Sequence, residues 1–184
     1  MKTQIQLALE DVESAFRQLE FAIKLMYYCE DGHLNLTAFN EDSTALFATG
    51  SMVFGSYNTV DEIVTCSKIN VNICFGASAI ALNAALEMAG IERSNHNVAM
   101  VVYMVRCAFG HNIADPRWEV RGNFLREVSL PMDRGQISID FKNLNGQPFE
   151  YKHIGDLPNW YKIKNASVEL IKQNLRIVGS GLEM

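Results

Sequence analysis

Cysteine and proline are both scarce in this 184-residue chain, with four of each. The cysteines stand at 29, 66, 74 and 107, with no C-x-x-C pair and no histidines at zinc-finger spacing. That excludes a disulfide scaffold and a zinc module, and leaves reduced thiols packed as small hydrophobes. A basic excess is also missing. The formal net charge is −5, which argues against wholesale coating of nucleic acid but not against a local basic site. No stretch reaches ~18 uninterrupted apolar residues. The best candidate, residues 71–91, is broken by Asn72, Asn83 and Glu87. Residues 1–10 are polar and run into a helical pattern, so no secretory signal is visible. We therefore expect a cytoplasmic protein with no membrane partner. Gly50, Gly55 and Gly76 follow no phosphate-loop pattern, and neither G-x-S-x-G nor a Ser-His-Asp order occurs. No cofactor or metal is expected. Repeats, low-complexity tracts and linkers are missing too, so residues 1–178 read as one domain with a loose tail at 179–184.

What is present is a chain that is 48% hydrophobic and 20% charged, ordinary for a globular protein. Its first segment has neither Gly nor Pro up to Gly32. Ile5, Leu9, Val12, Phe16, Leu19, Ile23 and Met26 alternate spacings of four and three, a heptad-like stripe on a long helix. The periodicity fails over 32–59. Phe39, Phe47, Phe54 and Tyr57 predict an irregular but ordered connection packed onto the helices. A second helix begins near Val60, with Ile73, Ala77, Ile80, Ala81, Ala84 and Met88 at helical spacing. The small residues Gly76 and Ser78 favour close helix packing, and Gly90 is the expected stop. A third helix, capped by Ser94 or Asn95, runs over 98–109 and is apolar all round, hence central. Residues 1–114 form the helical core on this reading.

After Pro116 the period changes. Residues 121–130 and 136–142 alternate polar and apolar side chains, as half-buried strands do. Asn143 to Gly146 is a turn signal, followed by a return strand at 148–151. Residues 115–155 thus read as a small antiparallel β-appendage. A last helix occupies 156–178. The expected fold class is mainly α: a helical bundle with a β-appendage and a C-terminal helix.

One stretch carries chemistry. Arg106 and His111 stand five residues apart where the central helix runs out. On an unbroken helix they would differ by about 140° in direction and ~7.5 Å in rise. Unwinding at Gly110 would bring them together. Arg clamps phosphate oxygens, and His moves protons near neutral pH. Together they suit metal-free phosphodiester cleavage: a base for a ribose 2′-OH and a cation for charge building on phosphorus. The spacing alone is weakly specific. An Arg there also neutralises last-turn carbonyls, and a His caps them.

Five of the eight Arg residues (106, 117, 121, 126 and 134) fall in a 29-residue window without Lys, beside Asp115, Glu119, Glu127 and Asp133. Arg117, Arg121 and Arg126 are candidates for RNA binding. A salt-bridged surface is an equally simple account. Tyr103, one turn before Arg106, can orient its guanidinium. Asn112 can supply an amide, and Asp115 can polarise His111. Glu119 and Glu127 lack metal-site spacing. His33, His96 and His153 read as surface or capping residues.

The order of elements, a long helical hairpin and then a central helix ending R-x4-H, resembles the HEPN superfamily over about residues 1–114. Many of its members are metal-independent endoribonucleases of toxin–antitoxin, defence or RNA-processing systems. Others are non-catalytic binding modules. The resemblance implies catalytic roles for Arg106 and His111, RNA as substrate, and a homodimer. Cys107 stands where active members usually carry a polar residue, often Asn, and Gly110 where Ala is common. The alternative is therefore a non-catalytic regulatory module that binds a protein partner through the β-appendage.

Overall fold

Thr3 opens the first helix with reciprocal bonds. Its side chain accepts from the Gln6 N–H at 3.2 Å, and the Gln6 side chain accepts from the Thr3 N–H at 2.8 Å. The computed structural model describes residues 2–39, 43–54, 60–131 and 136–180, without the side chains at 36, 37, 43, 54, 60 and 177–180. Helix α1 (Gln4–Glu30) turns its stripe inward as expected. Val12, Phe16 and Leu19 are fully buried, and Ile5, Leu9, Ile23 and Met26 pack at the margin. The fold is mainly helical with two small antiparallel hairpins.

The connection over 32–59 is more regular than the sequence suggests. A short α2 (Leu36–Phe39) precedes a hairpin of β1 (Ser43–Phe47) and β2 (Gly50–Phe54). Most of the apolar side chains described in the hairpin face outward. Leu46 is 84% exposed, and Phe39, Phe47, Met52 and Val53 are also exposed. The register explains this: Leu46 and Val53 fall on one face, Phe47 and Met52 on the other. Either way the ribbon points side chains outward, and Tyr57 lies outside the described residues.

Helix α3 (Val60–Met88) runs back along α1, with Lys68 2.7 Å from Glu30 where α3's early turns meet α1's end. Its packing face corrects the sequence reading. Val71, Phe75, Ala79, Leu82 and Leu86 are buried. Ile73, Ile80 and Met88 are 41%, 46% and 48% exposed. Ala77 and Ala84 are exposed beside them, and Ala81 is half-buried. Both sides of α3 are apolar, so periodicity alone could not choose between them; the bulk of Phe75 and Leu82 goes inward. By length and composition residues 61–88 could cross a membrane, with mean hydropathy 1.5. Half of that apolar window is buried inside this fold, as in a core helix.

The expected close packing at Gly76 is present. A Cβ there would stand 2.8 Å from Phe109 Cδ1 and 3.1 Å from Ile113 Cγ1. Phe109 belongs to α4 (Asn97–Gly110), whose Met100–Val102, Met104, Val105, Ala108 and Phe109 are buried. Phe75 is the hub of the core. Its ring lies 4.9–5.4 Å from those of Trp160, Tyr151, Phe109 and Phe149.

Strands β3 (Glu127–Pro131) and β4 (Gln136–Asp140) pair with Val128 opposite Ile139, both buried. The alternation over 136–142 is thus correct, and residues 121–126 are not strand. The return strand at 148–151 does not join β4. Residues 146–149 instead lie against 116–118. The Trp118 N–H donates to Gln147 O at 2.9 Å, and the Phe149 N–H donates to Pro116 O at 2.8 Å. Pro148 has no N–H for a regular ladder, and a single 3₁₀ turn (Tyr151–Ile154) follows. Helix α5 (Asp156–Ser180) closes the core through Trp160, Ile163 and Ile171. It takes in residues 179 and 180, which the sequence reading assigned to the tail; 181–184 lie outside the described residues.

Candidate functional site

Helix α4 delivers the site. The cap position at its start is His96, which makes no side-chain cap bond. Ser94 and Asn95, the expected caps, bond among themselves and to Glu92. At the other end the helix continues through Gly110, and His111 ends it still in right-handed helical conformation (φ −97°, ψ −36°). The unwinding that would fold His111 back onto Arg106 does not occur. The helical backbone is satisfied here by the chain itself, because the Arg117 N–H donates to the Ala108 carbonyl at 3.1 Å.

Arg106 and His111 are both exposed and do not meet. The Arg106 guanidinium follows the last turn, with Nη1 3.8 Å from where a Gly110 Cβ would stand. His111 Nε2 lies 3.2 Å from a Glu119 carboxylate oxygen, and the same oxygen lies 3.9 Å from Arg121 Nη2. No hydrogen bond or ion pair among the described residues joins Arg106 to His111 or to an acid. A turn explains Glu119's arrival. Asn112 Oδ1 accepts from the N–H groups of Ala114 (3.0 Å) and Asp115 (3.2 Å), reversing the chain. Pro116 and Trp118 are then buried while Glu119 is half-buried, as an extended segment over a core requires.

Two expected supporting roles are therefore corrected. Asn112 spends its carbonyl oxygen on the turn. Asp115 pairs with Arg117 at 3.2 Å and does not reach His111. Tyr103 stands close to Arg106, but its hydroxyl faces the Cys107 thiol one turn on, and its ring carries a different cation, the Arg93 guanidinium at 3.9 Å from the centroid. The Cys107 hydrogen bond, followed by burial, holds the Tyr103 phenol above its ordinary range despite Arg93 and Arg106 nearby. Its other neighbour is Phe124, 5.5 Å between ring centroids.

The arginine window divides. Arg117 is tied to Asp115. Arg121 is 87% exposed apart from its long contact with Glu119. Arg126 donates to Met100 Sδ at 3.3 Å and has no acidic partner among the described residues. Arg134 and Asp133 lie outside the described residues. Sequence reasoning missed Glu119 as the partner of His111, and it missed Arg93, Asn83 and Phe124. The turn signals at Asn112 and Asp115-Pro116 were the available clue to Glu119; nothing local announced the others. Among the described residues no group of three or more His, Cys, Asp or Glu is placed to hold a metal.

His153 caps, as expected: its Nδ1 accepts from the Glu150 N–H at 3.2 Å at the start of the 3₁₀ turn. It is also half-buried, and the same Nδ1 accepts from the indole N–H of fully buried Trp118 at 3.0 Å. Two donors on Nδ1 place the neutral ring's proton on Nε2. Burial pushes its pKa down. Comparison with protein-family models, with curated proteins and with solved structures finds no match.

Proposed function

We propose that the exit of α4 binds RNA and cleaves it in the manner of the HEPN-type endoribonucleases that its R-x4-H stretch resembles. The observation that carries this reading is the pairing pattern. His111 is exposed and held through Nε2 by Glu119, while Arg106, on the preceding turn, has no acidic partner among the described residues. The Glu119 contact leaves Nδ1 of the neutral imidazole as its acceptor. Nδ1 then removes the proton from a ribose 2′-OH, whose oxygen attacks phosphorus. The 5′-oxygen leaves as an alcohol with a proton taken from solvent water, and a 2′,3′-cyclic phosphate remains. Arg106 offsets the charge on the phosphoryl oxygens. The shared Glu119 keeps Arg121 beside the path of the strand.

The test compares wild type with His111→Ala and Arg106→Ala on mixed RNA, with chelator present. Loss of roughly 10²–10⁴ in rate for each variant is expected. Equal background cleavage by wild type and both variants would reject the assignment.

The same reading includes a homodimer. Support comes from the outward stripe of α3, where Ile69, Ile73, Ala77, Ile80 and Ala84 present about four turns with no charged residue in line. Isoleucines separated by alanines allow two copies of such a helix to approach closely.

A second reading, a non-catalytic RNA- or partner-binding module on the same fold, is favoured by one observation. Cys107 is engaged by Tyr103 and offers no carboxamide to hold His111 or a phosphate. Binding of RNA with no cleavage by wild type selects it.

A further inference from the structure

Asn83 is a polar side chain, 9% exposed, in the apolar body of α3, and its carboxamide makes no hydrogen bond among the described residues. It opens onto a cavity of about 460 Å³ that Arg93, Ser94 and Phe124 also line. A second cavity of about 490 Å³ adjoins the first across Ser94 and Phe124, which line both. The second is lined by Arg121 and Arg126 and contains no acid.

The two cavities differ in charge. Glu87 and Glu92 line the first, where Glu87 is paired with Arg93 at 3.4 Å and Glu92 accepts from Asn95. That end repels a phosphate. The second, with two arginines and the Ser94 hydroxyl, attracts one. Between them stands Phe124, half-buried and leaning on Tyr103, an aromatic surface at the boundary. A carboxamide without a protein partner at a cavity wall is selective: it offers one acceptor and two donors, the pattern that pairs with the N6 amino group and N7 of adenine. Each cavity falls in the size range of small-ligand sites.

We propose that this double cavity binds an adenosine phosphate unit, the base on Asn83 and Phe124 and the phosphate on Arg121 and Arg126. The ligand is a free adenine nucleotide or an adenosine within single-stranded RNA; in the second case the proposal rests on the RNA reading above. The site then selects which residue of a strand is brought toward the end of α4.

Binding is measured by fluorescence anisotropy on the His111→Ala protein, with labelled hexaadenylate and hexauridylate and with AMP as competitor. Hexaadenylate is expected to bind at least tenfold tighter than hexauridylate. Replacing adenine by 7-deazaadenine, which removes N7, brings it to the hexauridylate level, as does Asn83→Leu. Arg121→Ala with Arg126→Ala weakens both oligonucleotides equally. The 7-deaza arm needs no substitution in the cavity, so it decides the matter even where Asn83→Leu fails to fold. AMP binding that is lost with 7-deaza-AMP, without oligonucleotide binding, supports the site and removes the RNA reading. Equal affinity for both oligonucleotides without AMP binding, or a preference that 7-deazaadenine leaves intact, overturns the proposal; cleavage that depends on His111 would still stand in that case.

Discussion

His111 Nε2 faces the Glu119 carboxylate at 3.2 Å, and this contact replaces the expected one with Arg106. On the cleavage reading Glu119 is a positioning residue. Glu119→Gln keeps the size and an acceptor oxygen but removes the charge. It is expected to lower kcat about 10- to 100-fold with little change in KM. Glu119→Asp should recover part of the rate. An unchanged kcat in Glu119→Gln would remove Glu119 from the site.

Gly76 holds the end of α4 in place. Adding a methyl there pushes on Phe109 and Ile113 at 2.8 and 3.1 Å. Gly76→Ala gains helix propensity but overpacks the crossing, and the overpacking wins, at about 1–3 kcal/mol. A lower denaturation midpoint is the expected result. The same variant should reduce any activity at His111, because Ile113 leads out of the site.

His153 predicts a pH dependence. Its folded pKa lies below its ordinary 6.5, from burial first, with Lys152 also lowering it and Glu150 opposing. The unfolded chain therefore binds the extra proton more readily. The stabilising contribution is complete above pH 6.5 and is lost as pH falls through the folded value. Protonated His153 no longer accepts the Trp118 N–H. Chemical denaturation between pH 7.5 and 5 should show this loss, and His153→Gln should flatten it. His153→Ala orphans the indole N–H, a penalty of about 1–3 kcal/mol at pH 7.5 that shrinks as the pH falls and wild type loses the same bond.

For the α3 stripe, Ile73→Glu with Ile80→Glu places charges where the dimer reading has a second copy. Both positions are exposed in the single chain, so its melting temperature should hardly change. Sedimentation should show association weakened by at least about tenfold. A wild type that remains monomeric at high concentration refutes the dimer.

The long helices were legible from their apolar periodicity and from the stops at Gly32 and Gly90. The ends of α4 were not, because neither Ser94 nor Asn95 caps it and the helix runs on through Gly110. The hairpins were harder. The 136–142 alternation showed a strand, but its partner depends on which apolar residues find the core, and Val128 finds it opposite Ile139. β1 and β2 were not legible, because apolar residues on both faces blur the period of two. At the site, the placement of Arg106 in the last turn of α4 and of His111 just beyond it could be read from the sequence. The partner of His111 could not, because Glu119 reaches it through a turn, and neither could Arg93 on the Tyr103 ring. Spacing along one helix records neither.

The two-sided apolarity of α3 has a consequence for how the chain folds. Rotated by half a turn, α3 would still offer Ile73, Ile80 and Met88 to α1, a decoy of similar greasiness. What distinguishes the native rotation is small and specific. Ser78 Oγ accepts the Trp160 indole N–H at 2.9 Å, and the bare Cα of Gly76 leaves room for Phe109. A misrotated helix strands that N–H and jams that crossing. One hydroxyl and one missing methyl thus act as an index mark, choosing between two orientations that hydrophobicity alone ranks as equals.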